Sequence, residues 1–298
     1  MTFIDDEIAR QPESWRICAE LVRTRAAGIS GLPTAGERVA VVGCGTSWFM
    51  AEAYAQLRES QGLGITEAHA ASEFPPARNY DRIVAISRSG TTTEILELLA
   101  GERGRTPSVV LTADPRTPVI ELADDAIVLD FADERSVVQT LFATSALTLL
   151  RAHLGQDVES LAQAAELAIV EPLPGTWSEV EQITFLGRGW THGIAREAAL
   201  KMREACQLWT EAYPAMEYRH GPIAIAAAGR LVWYFGAGAE ELRDEVAATG
   251  ATFVHSADDP QVDLIRVQRL AAAMAVERGL DPDNPQALTR SVVLASVS

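Results

Sequence analysis

Three charged residues in the second half of the chain, Glu197, Lys201 and Glu204, stand at i, i+4 and i+7. On a helix they share one stripe, and Ala195, Ala199, Met202 and Cys206 fall on the other side, where a core would lie. Such a stripe can be a solvated ladder worth roughly a few tenths of a kcal/mol. It can also be a functional site that needs a compact ammonium between carboxylates. Composition favours the second reading. Of the 25 Lys plus Arg residues, Lys201 is the single lysine. A chain that uses arginine everywhere else keeps an ammonium where a guanidinium fork would not serve. His220, in Glu217-Tyr218-Arg219-His220-Gly221-Pro222, adds an imidazole close to a carboxylate in sequence. His69, His153, His192 and His255 show neither pairing nor metal spacing and are expected to be structural.

Two turns in the first half could hold an anion. Gly43-Cys44-Gly45-Thr46-Ser47 ends a β-branched run, and Ser87-Arg88-Ser89-Gly90-Thr91-Thr92 ends another and opens a helical stretch. Hydroxyls and free backbone N–H groups at a helix start can bind a phosphate dianion, with Arg88 available for charge. The plainer alternative is a capping box built from Thr91 or Thr92 with Glu94. A cap needs one hydroxyl, and this turn has several. Neither glycine-rich turn completes a dinucleotide fingerprint, and no G-x-x-x-x-G-K-[ST] loop is present.

These residues need a scaffold, and the patterning suggests an α/β one. Apolar runs at 38–43, 65–70, 82–87, 107–112 and 126–131 read as strands, with helices expected over 47–60 and 91–102. A helical leader is expected from Asp5 to about Ala27, a long helical block over 136–153 and another helix over 156–171. The theme restarts with strand-like runs at 182–189, 231–236 and 251–256 and helices from Thr191 and over 240–249. Gly43/Gly45 and Gly187/Gly189 mark a weak internal repeat of strand, G-x-G and helix. The expected division is a leader (1–30), a first domain (31–155), a helix and linker (156–177) and a second domain with a closing tail (178–298). Each domain should be an open, mostly parallel sheet flanked by helices.

Composition narrows the function classes. Forty-one Asp plus Glu against 25 Lys plus Arg leave a formal charge of −16, which disfavours nucleic acid or an anionic membrane as partner. No apolar run reaches the ~20 residues that span a bilayer. The acidic N-terminus lacks a hydrophobic signal region, and three scattered cysteines fit neither a disulfide framework nor a zinc cluster. A cytoplasmic protein is expected.

The turn Gly43–Ser47 followed by Ser87–Thr92 resembles the sugar isomerase (SIS) domain family, and Leu186–Pro222 and Pro282–Leu294 resemble the second SIS domain and tail of the isomerase half of the glucosamine-6-phosphate synthases. The resemblance runs over roughly residues 5–294 and implies two tandem SIS domains. It implies Glu204 as the base that moves a proton between C1 and C2 of an open-chain sugar phosphate. Lys201 would orient that carboxylate, and His220 would open the ring, reaching the site of the partner in a homodimer with shared active sites. For the phosphate and substrate it points to Ser47, Ser87, Ser89 and Thr92, with Thr46, Arg88, Glu197 and Arg290 close by. No metal or cofactor is implied.

Three departures shape the expectation. Position 2 is Thr, so no N-terminal cysteine nucleophile is present to release ammonia from glutamine. The tail lysine that condenses with a ketose in the synthases is Arg290, which does not form a Schiff base. A second family lysine is replaced in Thr140-Leu141-Phe142. The expected activity is therefore isomerisation of a hexose 6-phosphate or deamination of a hexosamine 6-phosphate, independent of glutamine. The alternative is a non-catalytic sugar-phosphate sensor.

Overall fold

A computed structural model describes residues 2–24, 29–173, 177 and 179–294. The first elements are α1 (Phe3–Ala9), α2 (Gln11–Thr24), β1 (Val39–Gly43), α3 (Thr46–Ser60), β2 (Thr66–Ala70) and β3 (Arg82–Ile86). There follow α4 (Thr93–Glu102), β4 (Ser108–Thr112), α5 (Val119–Leu122), β5 (Asp125–Val128), α6 (Leu141–His153) and α7 (Val158–Val170). The remainder comprises β6 (Gln182–Gly187), α8 (Thr191–Cys206), β7 (Trp209–Pro214), β8 (Arg230–Phe235), α9 (Glu240–Ala248), β9 (Thr252–His255) and α10 (Pro260–Glu277).

Two compact units result. The five-stranded unit comprises Glu13–Glu134, Leu141–Val158 and Thr289–Ser298. The four-stranded unit comprises Met1–Pro12, Arg135–Thr140 and Glu159–Leu288. The chain thus crosses between units at its leader, at 135–140 and at its tail, and the tail belongs with the earlier sheet.

In the five-stranded unit the order is β2-β1-β3-β4-β5, and all pairs are parallel. Every residue of β1 and β4 is buried, as expected when helices cover both faces of a parallel sheet. Ala40, Val42, Ile83 and Ala85 form one face and pack with Ile95, Leu98 and Leu99 of α4. The order reverses between β1 and β3, and in open α/β sheets ligands bind beyond the strand ends at such a switch point. The turns after β1 and β3 are the two hydroxyl-bearing turns.

The four-stranded unit repeats the scheme with order β7-β6-β8-β9, again parallel throughout. Leu186, Val232 and Tyr234 pack with Leu242 and Val246 of α9. The G-x-G repeat has the same cause in both units. A Cβ on Gly43 would lie 2.5 Å from the Ser47 carbonyl carbon, and one on Gly187 would lie 2.2 Å from the Thr191 carbonyl oxygen. Strand and helix meet too closely there for any side chain. Gly45 (φ 55°) and Gly189 (φ 58°) then turn the chain through the left-handed region.

Four expectations are corrected. The leader is two helices, because Pro12 lacks the N–H that would continue the ladder through Arg10; its expected end at Ala27 lies outside the described residues. The helix expected from Ser136 begins at Leu141. The N–H groups of Arg135 and Ser136 go instead to the Glu7 carboxylate, and that of Val137 to the Asp283 carbonyl. Strand β7 and helix α10 were not anticipated. The weakly patterned β7 is an edge strand ending in Pro214, and α10 starts on an Asp259 cap with Pro260 in its first turn. Pro174, Gly175 and Thr176 of the expected linker, and the final residues 295–298, lie outside the described residues.

Candidate active site

Helix α8 follows the tight β6 turn, and its stripe is a buried clasp, not a surface ladder. Lys201 is 1% exposed and Glu197 is fully buried. The Lys201 Nζ lies 3.4 Å from Glu197 Oε1 and donates to Glu204 Oε2 at 2.5 Å. The Glu204 side chain retains 19% of its exposure, so one carboxylate of the pair is buried and the other reaches solvent. Ala195, Ala199, Met202 and Cys206 are buried as expected. An ammonium held between two carboxylates fixes the position of the accessible one. His220 ends a short 3-10 turn, Glu217–His220, and is exposed. Its neighbour Arg219 is engaged with Glu245.

The five-stranded unit carries the anion-binding candidates. Thr46 and Ser47 open α3 behind Gly45 and are buried. Ser87, at the end of β3, is buried, and its Oγ has no hydrogen-bond partner among the described residues. Thr92 is the N-cap of α4, yet its side chain makes no capping hydrogen bond. Glu94 is the second helical residue, one position short of the capping box. The capping reading fails, and the hydroxyls are left for other partners.

Arg88 departs from its expected role. Its guanidinium is buried, 3.8 Å from the equally buried Glu134 carboxylate, and donates to the Arg290 carbonyl at 2.9 Å. The charge expected for an anion is answered within the unit. Glu134 also accepts from the Leu141 N–H at 2.7 Å, anchoring the start of α6. Arg290 donates to the Asp133 carboxylate and the Glu134 carbonyl. Sequence reasoning missed Glu134, which carries no motif, and Ser291, which meets the Ser87–Thr92 turn directly.

Residues 34–152 match the sequence profile of the SIS domain family. This segment is an SIS domain. Among curated relatives, the glutamine–fructose-6-phosphate aminotransferase of Pyrobaculum aerophilum is 29% identical over 98% of this chain and 57% of its own length. That of a Nostoc species is 26% identical over 87% of this chain and 52% of its own. The chain spans about half the length of these relatives. Among solved structures, the glucosamine-6-phosphate deaminase of Thermotoga maritima superposes with TM-score 0.81 at 24% identity, over 98% of this chain and 100% of that one. The tagatose-6-phosphate ketose/aldose isomerase of Escherichia coli gives 0.78 at 19% identity, over 100% and 97%. These likenesses cover both units, so the whole chain shares the fold of these two structures. The turns after β1 and β3 both fall within the matched SIS segment, whereas the Lys201 clasp lies on the repeat.

A cavity of about 500 Å³ in the four-stranded unit is a separate feature. Trp177 and Trp233 stack on its wall, and Trp233 Nε1 donates to Asp263 Oδ2 at 2.8 Å. Burial pushes the Asp263 carboxyl up, against the pull of Trp233 and Arg266. Among the described residues, no group of three or more His, Cys, Asp or Glu could hold a metal ion. No helix among them is long and apolar enough to cross a membrane.

Proposed function

We propose that the chain acts on a hexose or hexosamine 6-phosphate, opening the ring and moving a proton between C1 and C2. The observation that carries this reading is the buried Lys201, which holds Glu204 at 2.5 Å while leaving that carboxylate accessible. The phosphate is taken by the hydroxyls of Ser47, Ser87, Ser89 and Thr92 and by the N-termini of α3 and α4. Glu197 braces Lys201, and Thr46 shapes the α3 turn. Glu204 removes the C2 proton of the open-chain aldose and returns it to C1. An aldose phosphate thereby becomes a ketose phosphate through an enediol. With an amine at C2, the same shift gives a 2-imine, and water hydrolyses it to the ketose phosphate and ammonia. His220 moves the proton for ring opening; its exposure suits service to the second copy of a homodimer.

Arg290 argues against covalent imine capture by the tail, since its guanidinium is held by Asp133 and the Glu134 carbonyl. The relatives' names support both branches: a deaminase and a ketose/aldose isomerase share this fold. The test is a pair of assays on the full chain. Glucosamine 6-phosphate should release ammonia, or fructose 6-phosphate should exchange a C1 or C2 proton with D₂O. Glu204→Gln should bind either sugar and lose about 10²-fold or more in turnover. Unchanged turnover in that variant removes Glu204 as base, and binding without any turnover in the wild type identifies a sensor.

A further inference from the structure

The Ser87–Thr92 turn already holds an oxygen in the way it would hold an oxyanion. Ser89 Oγ donates to Ser291 Oγ at 3.1 Å, and Thr91 Oγ1 donates to the same atom at 2.9 Å. Thr92 Oγ1 lies 3.5 Å from it. Two O–H donors thus converge on one oxygen, as they would on a phosphate oxygen. The Thr93 N–H, the first of α4, donates to the Val292 carbonyl at 3.2 Å, so a tail carbonyl meets the positive end of the helix. The chain is held there on both sides. Arg88 donates to the Arg290 carbonyl, the Arg290 side chain grips Asp133 and the Glu134 carbonyl, and the Leu294 N–H donates to Thr93 Oγ1 at 2.9 Å.

We propose that residues 290–294 are an intramolecular competitor of the phosphate group, with Ser291 Oγ and the Val292 carbonyl standing where phosphate oxygens bind. The proposal rests on the reading of this turn as the phosphate seat and adds its regulation. A hydroxyl accepts both donors but is neutral, whereas a phosphate monoester brings up to two negative charges to the same donors and the helix start. Charge-assisted hydrogen bonds are the stronger kind, so the phosphate displaces the tail. Arginine at 290 is suited to this role. It ties the strap to the acidic 133–134 segment, and its release accompanies substrate entry.

Trypsin reads the strap directly, because the Arg290–Ser291 bond is a cleavage site within it. Release of the 291–298 peptide from the full-length protein is followed by mass spectrometry. Inorganic phosphate or fructose 6-phosphate is added, with sodium chloride of equal ionic strength as the control. Both phosphate compounds should accelerate release and the chloride should not. Ser291→Ala should release the peptide quickly without phosphate and bind fructose 6-phosphate about tenfold more tightly by calorimetry. Slower release with phosphate would mean that the tail closes over the bound group, and would overturn the proposal. Calorimetric binding with no change in release overturns the competition and leaves the seat intact. If neither the wild type nor Ser291→Ala binds fructose 6-phosphate, the phosphate-seat reading fails and the competition with it.

Discussion

Replacing Lys201 by methionine tests the clasp most directly. The side chain keeps its length and apolar stem but loses the charge that Glu197 and Glu204 face at 3.4 and 2.5 Å. Glu204 is partly solvated, so water screens much of that loss. Glu197 is fully buried, and withdrawing the cation from a buried carboxylate costs ~3–5 kcal/mol. At ~2–4 °C per kcal/mol for domains of this size, the unfolding midpoint should fall by ~6–20 °C in scanning calorimetry. Lys201→Arg keeps the charge but forces a larger fork into a space where lysine is 1% exposed. Overpacking of this kind costs ~1–3 kcal/mol, so its midpoint should lie between the two. Glu197→Gln combined with Lys201→Met removes both buried charges and should recover most of the loss, giving a non-additive cycle. A Lys201→Met midpoint within ~2 °C of the wild type, or strict additivity in the double variant, would show the stripe to be a solvated ladder and would undo the argument from the single lysine.

Other consequences follow from the turns and from the cavity. Gly43→Ala and Gly187→Ala should each abolish folding of their unit or lower its midpoint sharply, because the new Cβ meets backbone at 2.5 and 2.2 Å. Gly101→Ala, inside α4 with nothing within 4 Å of its Cβ, should instead stabilise by ~0.5–1 kcal/mol. Calorimetry on the three variants settles whether the G-x-G repeat is steric, and equal effects would refute it. Asp263 makes a pH prediction. Its carboxyl is raised above 3.8, so the folded chain holds a proton that the unfolded chain releases. The stability contributed by the group is therefore fully present below the ordinary carboxyl pKa and is lost as pH rises through the raised value. Asp263→Asn does not titrate and keeps an acceptor for Trp233. It should gain on the wild type as pH rises above the ordinary carboxyl pKa, and a pH-independent difference in midpoint would contradict this.

The scaffold was largely legible because parallel strands buried on both faces leave continuous β-branched runs. Val39–Gly43, Arg82–Ile86 and Ser108–Thr112 each fall inside an expected run. The G-x-G spacing marked the matching turns of both units, although its cause is close approach of strand and helix, not a ligand. Elements defined by distant partners were not legible. The 135–137 segment leaves the helix ladder because Glu7 and Asp283 take its N–H groups, and nothing local announces residues 128 and 146 positions away. The site divides in the same way. Spacing alone placed Lys201 between two carboxylates, since an i, i+4, i+7 stripe is a local geometry. The sequence marks Arg88 and Arg290 as residues that matter, but not that Glu134, Asp133 and the backbone engage their guanidinium groups. A cation's value to a ligand depends on which acids fold beside it, and that is a property of topology. The strongly acidic composition makes such internal pairing the expected fate of a buried arginine here, and it leaves neutral hydroxyls and helix N-termini as the groups with capacity for a phosphate. It follows that the turn can be silenced by a neutral mimic from the same chain, which Ser291 supplies, without placing a buried negative charge against it.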